Sequence, residues 1–360
     1  MEKIASFLRA RLQSFPVTRP AYLLLRQCKR GGIGLASLFK SGWFIATRII
    51  PGLLKYRRQP VLLSRQFGAG DIICTFPAAQ RLRARHPQAE FIYNCGADFD
   101  KLPLLAGVAS RTVSTDVPAL KRYWPFFFAA IYEFECGNDG KNYYVSDEFP
   151  IEAFCQQHGV PPTRDHPVLI LPDATRSRAS QRLARGLHAT GPLIVFHTGP
   201  TWLIREWPHA SWCQLIGRLQ SAGFVNLVQV GASRNAFLGE LKTQPIPGVF
   251  SLVDQLDLEE TIGVIAQASL LVGIDSGLLH MAAWVQTPFV GIWGPTSPEM
   301  RFSGNCRQSP VVSTVPCQGC HHRLPCLHWI SGCQNNIACM TEIAVERVFQ
   351  ACLQELNRQK

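Results

Sequence analysis

From Pro60 onward, short apolar runs alternate with amphipathic stretches in the rhythm of strand, turn and helix. PVLLS (60–64) breaks into the Gly-rich turn FGAGD (67–71). IICTFPAAQRLRARHP (72–87) follows, with Ile73, Phe76, Ala79 and Leu82 at helical spacing, and AEFIYNC (89–95) is the next apolar run. Short apolar runs bounded by turn signals predict strands, and strand–helix–strand at this spacing predicts a parallel sheet with crossover helices. IYEFE (131–135) and PVLILP (167–172) are further predicted strands. The grammar restarts near Gly191. PLIVFHTGP (192–200), VNLVQVG (225–231), SLLVGID (269–275) and PFVGIWG (288–294) predict strands. HASWCQLIGRLQSAG (209–223) and LDLEETIGVIAQA (256–268) predict helices.

The chain is thus expected to be α/β, with two doubly wound domains. A first domain would span 60–185, joined through a polar, Arg- and Ala-rich linker at 173–190 to a second domain over 186–345, with a C-terminal helix at 346–360. In such sheets ligands bind beyond the carboxyl ends of the strands, so two of them facing each other would enclose one deep cleft.

Composition supports cores of ordinary size: 360 residues, 47% hydrophobic and 17% charged. Charge changes the picture more. Residues 1–60 carry twelve Lys and Arg against the single acid Glu2, which accounts for the whole formal net charge of +11; the remainder is balanced. This basic extension, 1–59, is also apolar. Between Ile33 and Leu54, Ser37, Lys40, Ser41, Thr47 and Arg48 share an arc of roughly 120° on a helix, beside a broad apolar face. A membrane-spanning helix would pay about 2.5–3.5 kcal/mol for each central cation. A helix lying in an anionic membrane surface would gain from both its faces. The other reading is an amphipathic helix docked on the protein itself. Nucleic acid is not expected as a partner, because no reading motif accompanies the charge.

Chemistry-bearing residues gather at the predicted strand ends. Asp71 follows the Gly-rich turn, where it could cap a helix or act on a ligand. The turn is neither a P-loop nor a full dinucleotide fingerprint. HTGPTWLIREWP (197–208) offers Thr198, Gly199 and Thr201 as donors to phosphate oxygens, with Arg205 as a fixed cation. GIDSGLLH (273–280) puts Asp275, Ser276 and Gly277 at a helix start, an anion-binding position, with His280 one turn along. His280 by itself reads equally as a structural histidine.

Together, the segments LLSRQFGAGDIICTFPAAQRLRARHPQAEFIY, HTGPTWLIREWPHASWCQLIGRL and DSGLLHMAAWVQTPFVGIWGPTSP resemble glycosyltransferase family 9, the ADP-heptose:lipopolysaccharide heptosyltransferases. The resemblance covers most of 60–348, and its most specific part is D-[ST]-G-x-x-H followed by P-x-V-x-x-x-G-P-T. It implies a GT-B fold, two Rossmann-like doubly wound domains facing a central cleft. It also implies inverting transfer with no cofactor required for catalysis. It makes Asp71 the general base and Arg205 the cation at the leaving diphosphate. Thr198, Gly199, Thr201, Asp275, Ser276, Gly277 and His280 become donor-binding residues.

The implied partners are a nucleotide-sugar donor (ADP-heptose), a lipid-linked glycan acceptor and an anionic membrane surface. The implied place is cytoplasmic, peripheral on the inner face of the inner membrane. Arg205 stands where the family usually has Lys. Two departures stand out: the loop ASRNAF (232–237) lacks the acid often present there, and the basic extension of about 60 residues is longer than a minimal family member needs. Another donor sugar, a protein acceptor of the autotransporter kind, and a catalytically silent membrane- and glycan-binding scaffold therefore remain as alternatives. Finally, the Cys-rich loop 317–339 offers Cys317, Cys320, Cys333 and Cys339 as a thiolate site for structural Zn or Fe, with Cys326 able to replace either later ligand. The alternative is a set of reduced cysteines or a disulfide. A subset of the family that glycosylates autotransporters is similar in carrying an iron-binding Cys cluster.

Overall fold

The structure is a computed structural model, and its described residues are 60–66, 68–114, 128–135, 149–187, 190–233, 243–322 and 333–358. The extension 1–59, with its proposed helix at 33–54, lies outside them, as do Cys326 and most of the 232–237 loop. Among the described residues no helix is long and apolar enough to cross a membrane.

Two compact units are present. Of the described residues, the first holds 60–66 and 79–134; the second holds 68–78 and everything from 135 onward. The first is built on β1 (Val61–Ser64), α1 (Ala69–Arg85), β2 (Phe91–Asn94), α2 (Lys101–Leu105), β3 (Arg111–Val113) and β4 (Ala130–Glu133). Its sheet has the order β3-β2-β1-β4, with every pairing parallel. Val61, Leu62 and Leu63 on β1 are all buried, as a strand covered on both faces requires. Helix α1 begins in the second unit: its first turns, through Ala78, are counted there.

The second unit contains α3 (Pro150–Gln157), α4 (Asp173–Leu183), β5 (Leu193–His197), α5 (His209–Ser221), β6 (Asn226–Gln229), β7 (Phe250–Ser251), α6 (Leu258–Gln267), β8 (Leu270–Ile274), α7 (Gly277–Trp284), β9 (Phe289–Trp293), β10 (Gln308–Val312), α8 (Ala338–Thr341) and α9 (Val345–Asn357). Its six strands run β10-β9-β8-β5-β6-β7, all parallel. Read from the other edge, this is the doubly wound order 3-2-1-4-5-6, and the direction of winding reverses between β5 and β8. The core beneath it joins Ile194, Phe196, Val272, Ile274 and Ile292 of the strands to Trp212 and Leu215 of α5 and to Val348 and Cys352 of α9.

Two expectations are corrected here. The stretch 167–172 is not a strand. Val168 and Ile170 point to solvent, the Leu169 N–H donates to the Trp284 carbonyl, and the His166 N–H just before the segment donates to Asn305 Oδ1. The stretch 173–190 is not a plain linker either. Its first part is α4, whose buried stripe Thr175, Ala179 and Leu183 repeats every four residues. Gly263 of α6 lets α4 approach so closely that a Cβ there would sit 2.7 Å from the Ala179 Cβ. Arg182 then bonds Glu260, which already closes a capping box with Asp257 at the start of α6. Of the described residues, 135 and 149–185 are counted with the second unit.

Candidate functional site

The carboxyl ends of β5 and β8 flank the winding reversal, and the expected donor residues stand there. After β5 come Thr198 and Gly199; after β8 come Asp275 and Ser276, with Gly277 opening α7. Ser276 is the cap of α7, its Oγ accepting from the Leu278 N–H at 3.3 Å. The end of this helix is therefore formed, and its partial positive charge faces the strand ends.

Asp275 is buried and is met by two guanidinium groups. Arg205 Nη1 lies 3.3 Å from Asp275 Oδ2 and donates to the Asp275 carbonyl at 3.4 Å; Arg301 Nε lies 3.9 Å from the same Oδ2. Burial alone would raise the Asp275 pKa. The charge of Arg205, then that of Arg301, more than offsets burial and holds the carboxyl well below the usual carboxylate range. One carboxylate between two cations leaves a local net charge of +1. Asp275 thus anchors the two arginines, while Arg205, Arg301 and the start of α7 form the anion-attracting surface.

The other expected residues divide. Thr198 Oγ1 accepts from Gln229 Nε2 at 2.9 Å, which leaves its own proton to give. Thr201 is committed inside its loop: both its N–H and its hydroxyl donate to Glu206 Oε1. Gly199 has φ +110, and a Cβ on it would sit 2.3 Å from Glu206 Oε2, so only glycine lets this loop close over the carboxylate. Burial raises the Glu206 pKa, and the Thr201 bonds oppose that rise.

Asp71 is the third residue of α1, in its first turn, rather than its cap. This turn belongs to the second unit and packs on α7. A Cβ on Gly70 would lie 2.6 Å from His280 Cδ2, and one on Gly277 would lie 3.1 Å from the Ala69 Cβ. Two glycines thus let two helix starts meet beside His280. That ring is buried, and its pKa is lowered to about 4. Burial is the main cause, Asp275 and Asp71 oppose it, and Arg301 and Arg205 reinforce it. His280 is therefore a neutral imidazole at any ordinary pH.

Sequence reasoning missed Arg301, Glu206, Gln229 and His321. The turn Cys320–His322 opens the Cys-rich loop and is tied to the loop after β9: His321 N–H donates to the Pro295 carbonyl, and Ser297 N–H to His322 Nε2. His321 is buried close enough to the arginines that, after burial, Arg205 and Arg301 are the main causes holding its pKa down to about 2. The four proposed thiol ligands are near one another. The Cys339 pKa is pushed up to about 12, first by burial and then by Cys320, Cys317 and Cys333. Yet among the described residues the group of three donor atoms within 4.8 Å of one another is Cys74, His166 and His280, not the loop cysteines.

A family model described as Glycosyltransferase family 9 (heptosyltransferase) matches residues 136–328. Lipopolysaccharide heptosyltransferase 1 of Pseudomonas aeruginosa is 31% identical over 130 residues, 36% of each chain. The enzyme of the same name from Salmonella typhimurium is 31% identical over 152 residues, 40% of this chain and 47% of that one. The chain therefore matches between a third and a half of the length of these relatives. Among solved structures, E. coli ADP-heptose lps heptosyltransferase II superposes with a TM-score of 0.60 at 17% identity, covering 83% of this chain and 99% of the other. The iron-containing dodecameric glycosyltransferase TibC from enterotoxigenic E. coli gives 0.61 at 19% identity, covering 83% and 79%. At these identities the likeness is one of fold, the α/β fold of GT-B transferases with two Rossmann-like domains. With the family match spanning more than half of its residues, the chain belongs to glycosyltransferase family 9.

Proposed function

We propose that this chain is an inverting glycosyltransferase that moves a heptose from ADP-heptose to an inner-core hydroxyl of lipopolysaccharide, at the cytoplasmic face of the inner membrane. The observation that carries the proposal is the group at the winding reversal. Arg205 and Arg301 are pinned by Asp275 beside the start of α7, with the first turn of α1 and its Asp71 packed against the same helix.

In this reading the donor diphosphate lies against the α7 N–H groups and the two guanidinium groups. The acceptor hydroxyl gives its proton to the Asp71 carboxylate as its oxygen bonds the anomeric carbon. The bond from that carbon to the diphosphate oxygen breaks, and the electron pair leaves with ADP. A positioned base of this kind contributes about 10²–10⁴-fold. Arg205 and Arg301 meet the charge that grows on the leaving group, so no divalent ion is required for the step. Thr198 can donate to a phosphate oxygen. Thr201 can do so only after releasing Glu206. Neutral His280 can bond a sugar hydroxyl without adding charge. The likeness to lipopolysaccharide heptosyltransferases supports heptose as the sugar and lipopolysaccharide as the acceptor, and that to E. coli ADP-heptose lps heptosyltransferase II supports ADP-heptose as the donor. The Cys-rich loop, with Cys317, Cys320, Cys333 and Cys339, would hold any structural Zn or Fe. The basic extension 1–59 would hold the enzyme to anionic lipid.

The test is incubation of the purified chain with ADP-heptose and heptose-deficient lipopolysaccharide. Release of ADP and a mass gain of one heptose, both persisting in EDTA, are expected. Transfer only to an autotransporter polypeptide would move the acceptor to protein. Neither transfer nor donor hydrolysis, with membrane binding intact, would leave a scaffold.

A further inference from the structure

We propose that Cys74, His166 and His280 form a binding site for a borderline transition-metal ion of the Zn²⁺ class, separate from the Cys-rich loop. The three residues come from α1, the irregular segment before α4, and α7. All are buried, at 2%, 2% and 6% exposure. Their donor atoms lie within 4.8 Å of one another. His280 Nδ1 is 3.1 Å from His166 Nε2 and 3.6 Å from Cys74 Sγ. With Zn–N of about 2.0–2.1 Å and Zn–S of about 2.3 Å, a tetrahedral ion separates two imidazole nitrogens by about 3.4 Å and a nitrogen from a sulfur by about 3.6 Å. The two sides that meet at His280 Nδ1 are close to these values, and the third, between His166 and Cys74, is within 4.8 Å.

Hydrogen bonding alone serves this cluster poorly. A neutral imidazole nitrogen has either one proton or one lone pair, and here two groups converge on the single Nδ1 of His280. His166 Nδ1, also buried, has no hydrogen-bond partner among the described residues. An ion placed between the three atoms would take a lone pair from each and remove the competition at Nδ1. Both rings are already in the form that binds metal, since burial holds both imidazoles neutral. Sulfur and imidazole nitrogen suit Zn²⁺ or Co²⁺ and not Mg²⁺ or Ca²⁺, which want oxygen.

The surroundings hold the cluster in place. Asn305 clamps the His166 backbone from both sides, accepting from its N–H at 3.1 Å and donating to its carbonyl at 3.0 Å. Phe302 stacks on His166 at 5.0 Å and lies 4.7 Å from the His280 ring, and Phe149 meets His166 edge-on. Arg301 and Arg205 oppose a cation here, while Asp275 and Asp71 favour one. A bound ion would also fix the tautomer: with Nδ1 coordinated, His280 carries its proton on Nε2 and becomes a hydrogen-bond donor.

The test uses the full chain and Co²⁺ as an optical probe. The wild type, Cys317→Ser/Cys320→Ser, Cys74→Ser and His166→Gln proteins are titrated, with circular dichroism as a check on folding. A one-thiolate charge-transfer band, with one ion per chain displaced by Zn²⁺, is expected to survive the loop substitutions. It is expected to fall at least tenfold in affinity in both Cys74→Ser and His166→Gln. X-ray absorption of the Zn²⁺-loaded loop variant needs no change at the cluster, and is expected to show a mixed nitrogen and sulfur shell with imidazole scattering. No ion in the folded loop variant, a shell of sulfur alone, or unchanged affinity in Cys74→Ser would each overturn the proposal.

Discussion

Replacing Arg205 by Met should expose how strongly the site depends on its buried carboxylate. Asp275 and Arg205 have side-chain exposures of 6% and 15%, and the Arg205–Asp275 and Arg301–Asp275 separations are 3.3 and 3.9 Å. At an effective dielectric of about 20, those separations correspond to about 5 and about 4 kcal/mol of attraction, which together offset the desolvation of the carboxylate. Arg205→Met removes the larger share and keeps the stem volume. Breaking a buried pair usually costs about 3–5 kcal/mol; with Arg301 still in place, a loss of about 2–4 kcal/mol is expected at pH 7.

The sign of the pH dependence follows from the same pair. In the wild type the folded pKa of Asp275 is depressed, so its stabilisation is complete above the unfolded value of about 3.9 and is lost as pH falls through the folded one. Without Arg205, burial dominates and protonation relieves the strain, so the deficit should shrink between pH 7 and pH 4.5. Adding Asp275→Asn should restore at least half of it. Urea unfolding followed by fluorescence is the assay, because Trp207, Trp212, Trp284 and Trp293 are all buried in this unit. A deficit that is equal at both pH values, or a double variant no more stable than the single one, would show that the uncompensated Asp275 charge is not the source of the loss.

Asp71→Asn should retain donor binding and lose about 10²–10⁴-fold in turnover; near-normal turnover would remove it from the chemistry. Gly70→Ala should lower the melting temperature by the equivalent of about 1–3 kcal/mol and raise the KM for donor, because the new methyl meets the His280 ring at 2.6 Å; a higher melting temperature would contradict this. Burial, chiefly, keeps His166, His197, His280 and His321 neutral in the folded chain. The unfolded chain takes up those protons below about pH 6.5, so stability should fall by up to about 1.4 kcal/mol per pH unit for each group as pH drops towards 4; a flat denaturant midpoint between pH 7.5 and 5 would count against it. Removing residues 1–59 should abolish salt-sensitive sedimentation with phosphatidylglycerol vesicles while sparing transfer to a water-soluble acceptor; vesicle binding equal to that of the intact chain would sink the membrane role.

The parallel sheets were legible because their strands are continuous apolar runs set between amphipathic helices. PLIVFH and SLLVGID declared themselves, as did the chemistry that follows each of them. The three-residue β3 and two-residue β7 are too short to carry a period. PVLILP has the composition of a strand, but its Leu169 N–H is taken by the Trp284 carbonyl and His166 just before it is held by Asn305, which no local pattern reveals. Helix α4 was hidden by its arginines; its signal was the stripe Thr175, Ala179 and Leu183. At the site, the residues of the strand ends could be named from motifs, but their pairing could not. That Asp275 holds Arg205, that Arg301 joins it across 26 positions of chain, and that His166 reaches His280 from 114 positions away are consequences of tertiary packing.

The account rests on a diphosphate held where β5 and β8 end, and the structure of the chain crystallised with ADP tests that directly. The diphosphate oxygens should lie within about 3 Å of the Gly277 or Leu278 N–H and of an Arg205 or Arg301 guanidinium, with Asp275 still bridging the two arginines. ADP bound away from the start of α7, or bound there with the arginines turned from the phosphates, would contradict it.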